Sequence, residues 1–116
     1  MLQWDFRVKE SQFNGLVDNL FYRLEQALDD SGLDLDYETS AGVMTITCEE
    51  NGSKIILSRQ PALEELWVAA RSGGFHLAGK EGKFHCRVTG EDFLQLMDRV
   101  LGEQCGEPVS LQLPAD

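Results

Sequence analysis

Apolar residues recur at three- and four-residue steps in Phe13, Leu16, Val17, Leu20, Phe21, Leu24 and Leu28. That spacing lays one stripe along a helix. It predicts a helix from about Ser11 to Asp30, with the Ser11 hydroxyl as N-cap and Ser31-Gly32 as its stop. The period then drops to two. Leu33-Asp34-Leu35-Asp36-Tyr37-Glu38 alternates strictly, so one face of that strand is apolar and the other all carboxylate. Val43 to Cys48 reads as a second strand, and Asn51-Gly52 as a hairpin signal whose two residues both tolerate positive φ. Lys54–Arg59, Glu65–Arg71, Phe75–Ala78 and Lys83–Val88 continue the strands, separated by Gln60-Pro61, Gly73-Gly74 and Gly79-Lys80-Glu81-Gly82. Short turns between successive strands make an antiparallel meander.

A second helical stripe follows in Phe93, Leu94, Leu96, Met97, Val100 and Leu101, ended by Gly102 or Gly106. Thr89-Gly90-Glu91-Asp92 reads as its capping box. Val109, Leu111 and Leu113 suit a packed extended arm over 108–116. Both helices need an apolar surface, and a meander has one core face. The fold class predicted is α+β: a two-layer sandwich with an antiparallel sheet of five to six strands and both helices on one face. No linker or repeat divides the chain, so residues 1–116 read as one domain, with 1–10 as a leader and 108–116 as an arm.

Composition adds a second picture. The 116 residues are 42% hydrophobic and carry 20 acidic against 10 basic residues, a net charge of −10. That balance argues against nucleic acid as a partner. No apolar run approaches the roughly 20 residues that span a bilayer, so no membrane partner is expected. The opening Met1–Arg7 lacks a basic stretch leading into an apolar one, so no secretory signal is expected. The three cysteines, Cys48, Cys86 and Cys105, are far apart and form no CxxC pair, which suits a reducing compartment. A cytoplasmic protein is expected. Cys48 and Cys86 fall on core parity and read as small buried hydrophobes.

The charge is unevenly distributed. From Leu24 to Ser53 there is no Lys, Arg or His, while Glu25, Asp29, Asp30, Asp34, Asp36, Glu38, Glu49 and Glu50 lie in that stretch. On a helical wheel Asp18, Glu25 and Asp29 fall within about 40° of one another. If the first strand is the sheet edge beside the helix, the two sets form one negative ridge. Crowded like charges destabilise a fold, and an ordinary solvated face mixes signs. The ridge therefore points to a cationic partner. Its carboxylates are hard oxygen donors suited to Fe, Mn, Ca or Mg. An EF-hand is a poor fit, because Thr39 stands where that loop needs Gly. Weak, shallow, water-rich binding follows.

The other sheet face offers a different anchor. If Leu66, Val68 and Ala70 face the helices, Trp67 faces solvent, together with Thr45, Thr47, Ile56, Ser58, His76 and His85. An exposed aromatic among small polar residues suits a binding surface. Arg59 falls on core parity but ends its strand, where it can swing outward. His76 and His85 are candidates to face each other across strands. Gly79-Lys80-Glu81-Gly82-Lys83 lacks P-loop spacing, and no nucleophile–base pattern marks an enzyme.

One ordered series of motifs goes further. Gly42-Val43-Met44-Thr45-Ile46-Thr47, Asn51-Gly52-Ser53-Lys54-Ile55-Ile56, Ser58-Arg59-Gln60-Pro61, Leu66-Trp67-Val68-Ala69 and Ser72-Gly73-Gly74-Phe75-His76 together resemble the frataxin family, close to its bacterial members. The resemblance spans about Ser11 to Leu111. It implies a cytoplasmic iron-binding protein of iron–sulfur cluster assembly that is not itself an enzyme. Iron, Fe²⁺ or Fe³⁺, would bind weakly at Asp18, Glu25, Asp29, Asp30, Asp34, Asp36 and Glu38, with other divalent cations able to substitute. Glu25, Asp29, Asp30, Asp34, Asp36 and Glu38 would also dock on the cysteine desulfurase. Trp67, with Arg59 and Gln60 nearby, would serve contacts to the assembly machinery, including the cluster scaffold protein. The expected state is a monomer, with iron-driven oligomerisation as the alternative. Ser58 stands where many bacterial members have Asn, and Asn14 where some carry a His.

Two other readings stand beside this one. A ferroxidase or iron-storage protein would need a pre-organised di-iron centre, and the helices lack a Glu-x-x-His pair. A plain acidic interaction module would bind metal only incidentally.

Overall fold

The structure is a computed structural model that describes residues 2–115, with side chains described from Lys9 onward. Helix α1 (Leu2–Asp30) is followed by strands β1 (Leu35–Ser40), β2 (Val43–Cys48), β3 (Lys54–Gln60), β4 (Glu65–Ala70), β5 (Gly73–Lys80) and β6 (Lys83–Cys86), then helix α2 (Phe93–Cys105). The six strands form one sheet in sequence order, and every neighbouring pair is antiparallel. This is the α+β sandwich the pattern predicted, with β1 and β6 as its edges.

Period-two patterning decides which face is dry. In β2, Met44, Ile46 and Cys48 are buried while the residues between them are only half-buried; in β3, Ile55 and Leu57 are buried and Lys54 and Ile56 exposed. These residues join Leu66, Val68 and Leu77 of the sheet, Val17, Leu20, Phe21, Leu24 and Leu28 of α1, and Phe93, Leu96, Met97, Val100 and Leu101 of α2 in one core. Both helices therefore cover the same sheet face, and the opposite face stays open.

Several element boundaries differ from expectation. Ser11 does not cap α1, which begins at Leu2. Residues 2–10 hold no Gly or Pro, so nothing interrupts backward extension of an established helix. The capping box of α2 uses Asp92 and Gln95, not Thr89: Asp92 Oδ1 accepts from Gln95 N at 2.8 Å and Gln95 Oε1 from Asp92 N at 3.0 Å. Gly106, at φ 74°, ends the helix. Asn51-Gly52 lies within the longer 49–53 connection, where only Gly52 takes positive φ. Asn51 has another use: its side chain donates to Gln104 O at 2.7 Å.

The arm after α2 returns across the helices. Leu111 is buried, its N–H donates to Asp98 Oδ1 at 2.9 Å, and Arg23 Nε donates to Pro114 O at 2.6 Å. The arm thus packs on the helical layer and leaves the open sheet face uncovered.

Candidate functional site

The C-terminal end of α1 concentrates negative charge in three ways. Asp29 and Asp30 sit in its last turn, no basic residue shares that turn, and the helix dipole places its own negative end there. Acidic residues at this position oppose helix stability instead of supporting it. The chain then turns sharply. Ser31 Oγ donates to Leu28 O at 2.7 Å and accepts from Leu33 N at 3.1 Å, while Gly32 takes φ 76°. This turn delivers the chain into β1, the sheet edge.

Alternation in β1 then sorts the side chains. Tyr37 points to α1, where its hydroxyl donates to Asp29, 2.9 Å to Oδ1 and 3.0 Å to Oδ2. Thr39 Oγ1 donates to Glu25 Oε2 at 2.8 Å. Helix and edge strand are therefore stitched side by side through two of the acids themselves. Asp34, Asp36 and Glu38 are exposed, and Asp36 and Glu38, at the intervening positions, project to the other side of the strand. The structure thus brings Glu25, Asp29, Asp30, Asp34, Asp36 and Glu38 to one edge of the molecule, on either side of β1. Among the described residues no three His, Cys, Asp or Glu side chains gather as a metal cage. The arrangement is a line of separate carboxylates.

Asp18 stands apart from that line. Arg59 Nη2 donates to its Oδ1 at 2.6 Å, and Arg59 Nη1 reaches Asn14 O at 3.4 Å and Oδ1 at 3.3 Å. The guanidinium also lies 5.6 Å from the Phe21 ring centroid. Arg59, on core parity at the end of its strand, stays on the helical side and clamps α1 onto the end of β3. Gly42 makes room for it, since a Cβ there would sit 3.0 Å from Arg59 Nε. Asp18, its side chain still 68% exposed, is therefore ion-paired with Arg59, and Arg59 belongs to the helical side, not to the open sheet face.

Hydrogen bonding to Asp29, then burial, then the charges of Asp29, Glu25 and Asp36, hold the Tyr37 phenol above its ordinary value of 10.0. A raised folded value means that the Tyr37–Asp29 bond contributes below pH 10 and is lost as pH rises through the folded value. Tyr37→Phe is expected to lower the melting temperature by a few degrees, on the order of one hydrogen bond. It should also strengthen Mn²⁺ binding at the edge by freeing both Asp29 oxygens. Calorimetric titration of the variant checks this, and unchanged or weaker binding would contradict it.

On the open face Trp67 stacks on His76 with centroids 4.2 Å apart and planes 7° from parallel. Trp67 Nε1 donates to Glu65 Oε1 at 2.8 Å, and His76 Nδ1 lies 3.9 Å from the same oxygen. Ser58 is directly opposite Trp67, and Ile56 remains 39% exposed. Gln60, half-buried, ends β3 opposite Glu65. His85 is opposite Ala78 and His76 opposite Trp67, so the two histidines, candidates for a facing pair, are not directly opposite, and both are exposed. Glu65 was overlooked in the sequence; its signal was the i, i+2 spacing to Trp67, which places both on one face.

Comparison with known proteins gives the family of the chain. The frataxin-like domain profile matches residues 6–107. The chain belongs to the frataxin family. Its frataxin relatives include the iron-sulfur cluster assembly protein CyaY of Stutzerimonas stutzeri, 46% identical over 107 residues, covering 90% of this chain and 96% of that one. The protein of the same name from Vibrio cholerae is 39% identical over 102 residues, covering 88% and 97%. A solved structure of frataxin from Psychromonas ingrahamii superposes with a TM-score of 0.80 at 30% identity, covering 88% of this chain and 96% of that one. Among the described residues, no helix of this frataxin is long and apolar enough to cross a membrane.

Proposed function

We propose that this frataxin serves iron–sulfur cluster assembly by binding iron weakly along its acidic edge and by docking the same edge on a basic surface of the cysteine desulfurase. Iron here is cargo or signal, and the protein acts as a regulator or supplier of assembly, not as its catalyst. The observation that carries the reading is the row of carboxylates on either side of β1, outside the Arg59 clamp. The negative end of the α1 dipole adds to its field. Separate carboxylates on an exposed edge retain water around a bound cation, which suits capture and release. The Trp67–His76 stack and Gln60 supply a second, apolar-to-polar surface for the cluster scaffold protein, since exposed aromatics anchor interfaces. Asp18 and Arg59 are left out of both surfaces, because they are occupied with each other.

Docking driven by such an edge is electrostatic and screened within about 10 Å at 0.1 M salt. Calorimetric titration of the desulfurase with this protein is expected to show affinity falling at least tenfold from 0.05 to 0.5 M salt, on the order of the screening of a multi-charge contact. Affinity independent of salt would contradict the docking proposal.

A further inference from the structure

Beyond the edge and the open face, two elements that end far apart in sequence bring their cysteines together. Cys48 closes β2 and Cys105 closes α2, 57 residues later, and their Sγ atoms lie 2.6 Å apart as free thiols. The contact does not depend on the sulfurs alone. Asn51 Nδ2 donates to Gln104 O at 2.7 Å, and the Gln104 side chain bonds Ser53 Oγ, Lys54 O and Arg71 N. The last turn of α2 is thus held over the 49–53 connection by Gln104, the residue next to Cys105. Cys48 is 2% exposed, whereas Cys105 is half-buried. A small molecule therefore reaches the pair through Cys105. Burial, the Cys48 thiol and the carboxylates of Glu107 and Glu50 push the Cys105 thiol up to about 12. The Cys105 thiol accordingly keeps its proton and reacts slowly.

We propose that Cys48 and Cys105 are a reversible redox modification site, forming an intramolecular disulfide with a small disulfide oxidant of the glutathione class. Cys105 thiolate attacks one sulfur of oxidised glutathione, breaking its S–S bond and releasing one glutathione thiolate. Cys48 thiolate then attacks Cys105 Sγ in the mixed disulfide and expels the second. Two electrons pass to glutathione, and the two cysteine protons end on its two thiols. The bond fastens the end of α2 to the sheet beside the acidic edge, because Cys48 is opposite Leu35 of β1 and Glu49 N donates to Asp34 O. Cys86, buried near the end of β6, takes no part. The site is independent of the proposed iron and desulfurase binding.

The test is incubation of the full chain with excess oxidised glutathione, followed by alkylation under denaturing conditions and non-reducing mass spectrometry. The expected product is monomeric, lighter by two hydrogens, alkylated at Cys86 alone, and gives one cross-linked peptide joining Cys48 to Cys105. Its melting temperature should rise by roughly 10 °C, since a long closed loop restricts the unfolded chain, and fall back on reduction. Cys48→Ala should instead retain a glutathione adduct on Cys105, and Cys105→Ser should give no cross-link. A stable glutathione adduct on wild-type Cys105, a covalent dimer, or three alkylated cysteines after oxidation would each overturn the proposal.

Discussion

Replacing Asp29, Asp30, Asp34 and Asp36 together by Lys is expected to abolish desulfurase binding and Mn²⁺ binding while leaving the protein folded. The four side chains are exposed and carry a large share of a net charge of −10. Like charges set against a docking surface cost several kcal/mol, so affinity should fall by at least ~100-fold. The expected stability change has the opposite sign. Lys at positions 29 and 30 complements the helix dipole instead of opposing it, each favourable by roughly 0.3–1 kcal/mol. The loss of the Tyr37–Asp29 bond offsets part of this gain. Calorimetry measures the binding and thermal unfolding the stability. A variant that melts at or above the parent temperature but no longer binds separates lost function from lost fold. Retained desulfurase binding would refute the docking proposal, and retained Mn²⁺ binding would refute the metal proposal.

Gln104→Ala should produce the largest loss of stability at any polar side chain. Gln104 is 3% exposed and the buried polar residue among the described ones. Its Nε2 donates to Ser53 Oγ and Lys54 O, both at 3.2 Å, and its Oε1 accepts from Arg71 N at 2.7 Å. Those groups lie in the connection after β2, in β3 and just beyond β4, so one amide satisfies backbone atoms from separate strands. Truncation leaves a backbone N–H and a carbonyl without their partners, at about 1–3 kcal/mol each, and adds a cavity. A loss of roughly 3–4 kcal/mol is expected, or ~15 °C in melting temperature. Gln104→Glu keeps the shape and the Arg71 acceptor but removes both donated bonds and buries a charge, so it should also destabilise. Urea unfolding checks both variants, and a change below ~0.5 kcal/mol in the Ala variant would contradict the role assigned to this amide.

What the sequence disclosed and what it concealed divide along a physical line. Periodicity is a property of single elements, so the helices, the meander and the parity that places Trp67 on the open face, half-buried against His76, were legible. So was the absence of bases between Leu24 and Ser53, because charge run-length needs no coordinates. Pairings between distant elements were not. Arg59 lies on core parity, and only the register of β3 against α1 shows that Asp18 and Asn14 are waiting for it. Gln104 reads as a polar position on a helix flank, and nothing local says that strand backbones need its amide. The thiol contact of Cys48 and Cys105 depends on where α2 ends over β2, which spacing alone does not encode. The start of α1 was misplaced for a different reason: Leu2, Trp4, Phe6 and Val8 alternate with polar residues at a period of two, which lays no helical stripe, yet the segment contains no Gly or Pro to stop a helix.

The acidic edge is tested most directly by recording backbone amide resonances during titration with paramagnetic Mn²⁺, then with Fe²⁺ without oxygen. The account predicts early broadening centred on the last turn of α1, the 31–34 turn and β1, with Asp18, the Trp67 face and the first turns of α2 spared. Broadening centred on Asp18, on His76 and His85, or spread evenly over the surface would contradict it.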